Sequence, residues 1–324
     1  MNTFGRKFKL SIFGESHGEG IGIVIDGCPV GISLKEEDFK ADFDRRRSGA
    51  RGTTPRQEPD LPRILSGVYQ GKTSGAPIAI VFENTNVQSR DYDEIQAIPR
   101  PGHADFTAHK KYKGFNDPRG GGHFSGRITL GLVAAGFIAK QILKKVSFEA
   151  KVIEVGGSKA IQETIDNALK EGDSVGGLIE CRVSGLPVGL GEPFFDSAES
   201  MISHLVFAVP ATKGIEFGSG FEASKMKGSE HNDEILDSKG KTSSNHAGGI
   251  NGGITNGNDL VFRVAVKPTS SISKTQNSYN QEKDSVEEFN IVGRHDACIA
   301  LRIPVIIEAV AAIALADLML IKGQ

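Results

Sequence analysis

Residues 14–18 read GESHG: a carboxylate, a hydroxyl and an imidazole held between two glycines, directly after an alternating apolar stretch from Phe8 to Phe13. Glycine on both sides lets the backbone turn sharply or approach a ligand closely. A strand that ends in such a turn presents its side chains at a sheet edge or a pocket mouth. Taken alone, a polar turn with one incidental histidine explains the five residues equally well. Four other stretches bear on the choice. Residues 45–56, RRRSGARGTTPR, hold Arg45, Arg46, Arg47, Arg51 and Arg56. Guanidinium groups so crowded repel one another unless an anion is present, and their fork matches phosphate or carboxylate bidentately. A small anion, a nucleic acid and a merely solvated loop all fit the cluster. No aromatic platform or basic stripe accompanies it, which weighs against nucleic acid.

Residues 100–112, RPGHADFTAHKKY, place Arg100, His103 and Asp105 around a Pro101-Gly102 turn. Histidine titrates near neutrality, so an imidazole beside an arginine and a phosphate is suited to act as a general acid. His103 and His109 lack a third ligand at a usual spacing, so no metal is expected. Residues 117–127, DPRGGGHFSGR, set three glycines before a helix, with Arg119 and Arg127 flanking them. Free backbone N–H groups and a helix N-terminus make an anion cradle, although the Lys-Ser/Thr ending of a P-loop is missing and a flexible linker fits too. Towards the C-terminus lie SNHAGGINGG (244–253), KPTSS (267–271) and GRHD (293–296). Lys267, Thr269, Ser270 and Ser271 are suited to a phosphate, and His295-Asp296 to an acid–base pair.

The rest of the chain must position these groups. Its 324 residues are 38% hydrophobic and 24% charged, with a formal net charge of −2. That is the balance of a globular protein with a large core and without a whole-chain basic field for nucleic acid or an anionic membrane. The 40 glycines cluster in GG and GGG runs rather than at a fixed period, which suggests many functional loops. Cys28, Cys181 and Cys298 form no CxxC pair, so buried thiols in a reducing cytosol are expected, not a zinc site or disulfides. The apolar N-terminal stretch is interrupted by Lys and Arg and too short for a signal peptide. Residues 304–321 are the most membrane-like, but Glu308 and Asp317 interrupt them and a spanning helix needs about 20 apolar residues. They read as a buried helix.

Periodicity predicts strands at 8–13, 21–26, 77–82, 150–156, 176–183 and 260–266. Helices are predicted at 34–47, 125–146 (Ser125 as N-cap), 196–207 and 303–321. Residues 84–122 read as one long polar loop. No GxGxxG opens a helix after a strand and no regular βαβ beat exists, so Rossmann and TIM architectures are excluded. The expectation is an α+β fold in one domain spanning residues 1–324.

The ordered set FGESHG, DRRR with TTPR, RPGHAD, RGGG before Ser125, SNHAGGINGG, KPTSS and GRHD resembles the chorismate synthase family across residues 4–321. The resemblance implies that family's β-α-β sandwich, usually a cytoplasmic homotetramer. It implies an anti 1,4-elimination of phosphate from 5-enolpyruvylshikimate 3-phosphate to give chorismate, with reduced FMN required and no net redox change. By the same resemblance, His17 protonates or hydrogen-bonds the reduced flavin, His103 assists phosphate departure, and Asp296 helps the flavin region accept the proton from C6. Arg46, Arg51 and Arg127 match arginines that bind the phosphate of substrate or of NADPH. Flavin contacts are implied for His123, Phe124, Ser125, Pro210, Ala211, Gly252, Lys267, Pro268, Thr269, Ser270, Ser271 and Arg294. No metal is implied.

The chain departs from the family pattern at Ser48 for a proline, with one residue fewer before the next arginine, and at His123 for an arginine. The helix opens SGRIT, not the commoner SARET. No added domain is evident, so an external flavin reductase fed by NADPH is the expected electron source. Two other functions remain: a non-catalytic flavin or phosphate binder, for which three proton-handling residues are superfluous, and a nucleic-acid binder, whose affinity would fall steeply with salt and ignore FMN.

Overall fold

The structure, a computed structural model, describes residues 2–54, 58–85, 97–291 and 295–323. Arg56 and Arg294 lie outside them. Two antiparallel sheets enclose a helical layer. The first sheet has the order β1-β2-β3-β7-β4, from β1 (Thr3–Phe4), β2 (Lys9–Gly14), β3 (Gly20–Asp26), β4 (Arg63–Ser66) and β7 (Ile78–Glu83); β5 (Val68–Tyr69) and β6 (Lys72–Thr73) form a hairpin beside it. The second has the order β10-β13-β9-β8, from β8 (Ser147–Val155), β9 (Gly177–Ser184), β10 (Thr212–Phe217) and β13 (Leu260–Val266). Two further hairpins pair β11 (Ile250–Asn251) with β12 (Ile254–Thr255), and β14 (Gln276–Asn280) with β15 (Ser285–Phe289). The helices are α1 (Lys40–Arg46), α2 (Asp105–Lys111), α3 (Thr129–Ile142), α4 (Ile161–Lys170), α5 (Ala198–Val206), α6 (Gly228–His231) and α7 (Pro304–Ile321).

The two-residue alternation of a half-buried sheet is plain in β3 and β7. Ile21, Ile23 and Ile25 are buried on one face of β3, and Ile78, Ile80 and Phe82 on the same side of β7. Against that face lies α3, whose Gly131 permits close approach: a Cβ there would sit 3.3 Å from Ile23 Cβ. Five residues on, Gly136 faces the other way, onto α7, and a Cβ there would lie 2.4 Å from Ala309 Cα. Thus α3 is squeezed between the first sheet and α7, while α7 packs on β8 and β9 of the second. The layers are sheet, helices, sheet, as the sandwich expectation requires. The last helix is apolar all round, as a helix enclosed on every side must be, and residues 305–318 are buried throughout.

Two buried carboxylates on α7 are spent on architecture. Glu308 accepts from Arg45 Nη1 and Nη2 (2.8 and 2.6 Å), Lys140 Nζ (3.0 Å) and the Ala150 N–H (2.9 Å), tying α1, α3 and β8 to one point. Asp317 accepts from the backbone N–H groups of Arg6, Lys7 and Phe8 at 2.7–3.1 Å, anchoring the segment before β2. Burial leaves such groups no water to fall back on, so each partner is needed.

Several expectations are corrected. The predicted helix at 34–47 is a 3₁₀ turn (Glu36–Phe39) followed by α1. The helix predicted over 125–146 begins with a separate 3₁₀ turn (Gly126–Ile128) and stops at Ile142, so Lys144 and Lys145 lie beyond it. Ser125 does cap that first turn, accepting from the Arg127 N–H at 3.3 Å. The long loop at 84–122 contains α2. Strand β10, the β14–β15 hairpin and α4 were not foreseen, because their side chains are largely polar or half-buried. Cys28, Cys181 and Cys298 are buried free thiols.

The closeness of α3 and α7 makes a direct prediction. Gly136→Ala forces backbone apart at the centre of the core and should lower stability by about 1–3 kcal/mol. A guanidinium chloride midpoint unchanged from wild type would contradict the packing described.

Candidate active site

The GESHG turn joins β2 to β3, with Gly14 opposite Ile21 at the end of the ladder. Gly14 has φ +95°, and a Cβ there would strike the Gly20 carbonyl at 2.3 Å, so this turn demands glycine. Asn84 clamps it from outside, donating to the carbonyls of Glu15 and Gly18, both at 2.9 Å. Ser16 and His17 point inward and are buried. The Ser16 N–H meets the Gly122 carbonyl at 3.1 Å.

Residues 120–122 are what His17 and His103 share. All three glycines have positive φ. A Cβ on Gly120 would fall 2.0 Å from His17 Nδ1, and one on Gly121 would fall 3.4 Å from His103 Cε1. The triple glycine therefore borders both imidazoles, Gly120 at His17 and Gly121 at His103, with no side chain between, a role the sequence reading of a phosphate cradle did not contain. One N–H of that cradle is already used: Gly121 N–H points to the Pro118 carbonyl at 3.2 Å.

His103 is held by its neighbours. Its Nδ1 lies 2.6 Å from Asp105 Oδ1, and Arg100 grips the same carboxylate through Nε (2.7 Å) and Nη2 (2.8 Å). Nδ1 also lies 3.0 Å from Arg100 Nη2, which only donates, but the shorter contact is to the carboxylate, which only accepts; with the Nδ1 proton on Asp105, Nε2 is the ring atom left for chemistry. Burial by itself would raise the Asp105 carboxyl, but the hydrogen bonds from Arg100 and His103 outweigh it and hold it well below the usual carboxylate range. Arg100 Nη1 also reaches Ser271 Oγ at 3.2 Å. Lys267 Nζ bonds the Gly102 carbonyl and Ser270 Oγ (2.8 Å), and Ser270 donates to Gly102 at 2.8 Å. The RPGHAD and KPTSS loops are thus interlocked. Among the described residues no carboxylate pairs with Lys267; burial, then the nearby Lys213, lower its ammonium below the ordinary lysine value.

On the Gly120 side is a cavity of about 210 Å³, lined by Arg46, Arg47, Arg127, Arg302, Glu58, Asp60 and Asp296 with Ser125 and Pro210. Asp296 receives the Thr54 N–H on Oδ1 (2.9 Å) and faces Arg302 Nη1 from Oδ2 (3.5 Å). Asp60 sits between two buried guanidiniums, 3.4 Å from Arg46 and in shorter contact with Arg127. Arg46 also donates to Thr129 Oγ1 and to the carbonyls of Gly126 and Arg127, and Arg127 to Asn84 Oδ1 and the Glu83 carbonyl. Their charge reaches the cavity, but most of their donors are committed to the protein. Arg47 pairs with Asp44 through Nη1 at 3.0 Å and donates from Nη2 to the Pro59 carbonyl at 3.1 Å, but its Nε is buried without a hydrogen-bond partner.

On the Gly121 side a second cavity of about 150 Å³ holds His103, Asp105, Asn116 and Phe124. Other expected residues lie elsewhere. Arg51 is exposed and pairs with Asp166 of α4 at 2.8 Å, outside both cavities. His123 donates from Nδ1 to the Gly14 carbonyl at 2.8 Å and lines neither cavity. Ala211 has φ +71° and its carbonyl accepts from the Lys267 N–H at 2.9 Å, placing Pro210-Ala211 beside the KPTSS loop. Pro268 is exposed on that loop. Gly252 forms the β11–β12 turn near the start of α5, at the other end of that helix from Pro210. Arg47 belongs to the arginine cluster singled out in the sequence; Asp60, Asn84, Asn116 and Arg302 carry no local signal there.

The family model for chorismate synthase matches residues 8–320. A chorismate synthase from Chitinophaga pinensis is 61% identical over 325 residues, covering 100% of this chain and 98% of that protein. One from Korarchaeum cryptofilum is 43% identical, covering 98% and 96%. A crystal structure of chorismate synthase superposes with a TM-score of 0.76 at 28% identity, covering 98% of this chain and 93% of that one.

The clamp on His103 predicts a pH-dependent stability. With its folded-state pKa depressed, Asp105 contributes fully above its unfolded value of about 3.9 and loses that contribution progressively below it, as pH falls towards and through the lower folded-state value. Asp105→Asn should cost about 2 kcal/mol near pH 6, and the gap to wild type should narrow below about pH 4. Denaturant titrations at several pH values check this; a constant gap would refute it.

Proposed function

This chain belongs to the chorismate synthase family, and from that membership we infer that it is the lyase that eliminates phosphate from 5-enolpyruvylshikimate 3-phosphate to form chorismate, in the shikimate route to aromatic amino acids. The C3–O bond breaks with its electron pair leaving on phosphate, and a proton leaves C6 on the opposite face. The observation that carries the assignment of roles is His103, oriented by Asp105, beside the triple glycine that also borders His17.

His103 serves as the acid for the leaving phosphate. Asp105 fixes its tautomer, so Nε2 is the atom that delivers the proton, and the charge of Arg100 stabilises phosphate as it departs. Asp296, held on both oxygens by Thr54 and Arg302, takes part in receiving the C6 proton. Arg46 and Arg127 supply fixed positive potential to the cavity, and Arg47 offers a donor to a substrate anion. Arg51, paired with Asp166, belongs to a phosphate site only if that pair opens.

Reduced FMN fits the site. Thr269 Oγ1 is buried without a hydrogen-bond partner, and Lys267 holds only neutral oxygens, so the KPTSS loop retains the donors and charge that a phosphate ester requires. Lys267, Thr269, Ser270 and Ser271, with Phe124, Ser125, Pro210 and Ala211, would hold it, and Gly252 and Arg294 are assigned by resemblance. Bound, the reduced flavin supplies an electron-rich partner to the allylic system without net redox change. His17 donates to it from beside Gly120. Its electrons come from NADPH through a separate reductase. The protein is a cytoplasmic homotetramer in this reading, supported by the exposure of Phe194 (86%), Phe195 (92%) and Phe221 (77%), which an assembly would cover.

Photoreduced FMN with 5-enolpyruvylshikimate 3-phosphate under anaerobic conditions should yield chorismate absorbance, and oxidised FMN should not. Binding of both ligands without product would instead favour a non-catalytic binder. His103→Ala should lower kcat by about 10²–10⁴ while FMN affinity is retained; normal turnover would remove His103 from its role.

A further inference from the structure

Asn116 lies in the smaller cavity, between Phe115 and Asp117, and no ring, ion or chain group uses it. Its Oδ1 is buried with no hydrogen-bond partner, and no hydrogen bond reaches either end of the amide among the described residues. A buried amide oxygen is costly unless a donor meets it. The cavity around it, about 150 Å³, is walled by Pro99, Ala104, Ala108, Pro118 and Phe124. Its other walls are polar, from His103, Asp105, His109, Asp117 and Gln281, so a ligand seated there must present hydrogen-bonding groups of its own.

A primary amide offers an acceptor and a donor side by side. Its complement is an edge that presents N–H next to C=O. The pyrimidine ring of a flavin has that edge at N3–H, between two carbonyls; the dimethylbenzene end has no hydrogen-bonding group. The loop that carries His103 links this slot to the phosphate-holding residues: His103, Ala104 and Asp105 line the slot, while Gly102 bonds Lys267 and Ser270. We propose that Asn116 reads the N3–H edge of the flavin and so sets which end of the isoalloxazine enters beside His103. This rests on the reading of the chain as an FMN-dependent lyase.

The test compares FMN with its N3-methyl analogue, in which the donor is replaced by a methyl group. Binding is followed by flavin fluorescence with the full-length protein. Wild type should bind the N3-methyl analogue at least about tenfold more weakly than FMN. Asn116→Ala should bind FMN more weakly and lose most of the discrimination; Asn116→Asp, which keeps the acceptor, should retain it. Equal affinity of wild type for the two flavins overturns the role of Asn116 and leaves the flavin reading standing. Failure of wild type to bind either flavin overturns both.

Discussion

Asp60 between Arg46 and Arg127 is the contact on which the larger cavity depends. All three side chains are almost wholly buried. Two guanidiniums so enclosed would repel strongly without the carboxylate, and removing one partner of such a buried set typically costs about 3–5 kcal/mol. The arginines also reach out: Arg46 to the turn before α3, Arg127 to Asn84 and the end of β7. Asn84 in turn clamps the GESHG turn. One carboxylate therefore locks α1, the first sheet and the start of α3 into a fixed wall, and its charge partners lend that wall a positive field.

This explains a division of labour among the arginines. In water a crowded run of them is a liability. Here Arg45 is neutralised by Glu308, Arg46 by Asp60, Arg47 by Asp44 and Arg51 by Asp166. What remains for a ligand is a field and a few open donors, on Arg47 and in the KPTSS loop. The triple glycine completes the design. Because it has no side chains, two imidazoles, His17 and His103, come close to adjacent residues of one backbone segment.

Much of this was legible in the sequence where a short pattern encodes a single local demand. GESHG announced a turn that only glycine can make, and the apolar alternation of β3 and β7 gave the first sheet. RPGHAD placed His103 with Arg100 and Asp105, because three residues around one turn cannot avoid each other. What stayed hidden was long-range pairing. Nothing about Asp60 in EPDLP says that it will meet Arg127, 67 residues on, and nothing about Asn84 or Arg302 marks them as supports. The triple glycine was read as a cradle because its partners, His17 and His103, are distant in the chain or face it only after folding. Strand β10 and the β14–β15 hairpin escaped notice because edge strands and exposed ribbons lack the apolar alternation of a covered face.

The placement of α7 carries a consequence for biogenesis. It follows every strand in chain order, yet it fills the space between the sheets and supplies the carboxylates that secure α1, α3, β8 and the segment before β2. During synthesis the inner face of the second sheet, and the side of α3 that meets α7, exist before the element that covers them. Until α7 arrives, α3 can cover Ile23 and Ile80, but the face of the second sheet that bears Ile179 lacks the helix that packs on it. A nascent chain at that stage is a sticky one, and the cell's holding chaperones are the natural guardians of the interval.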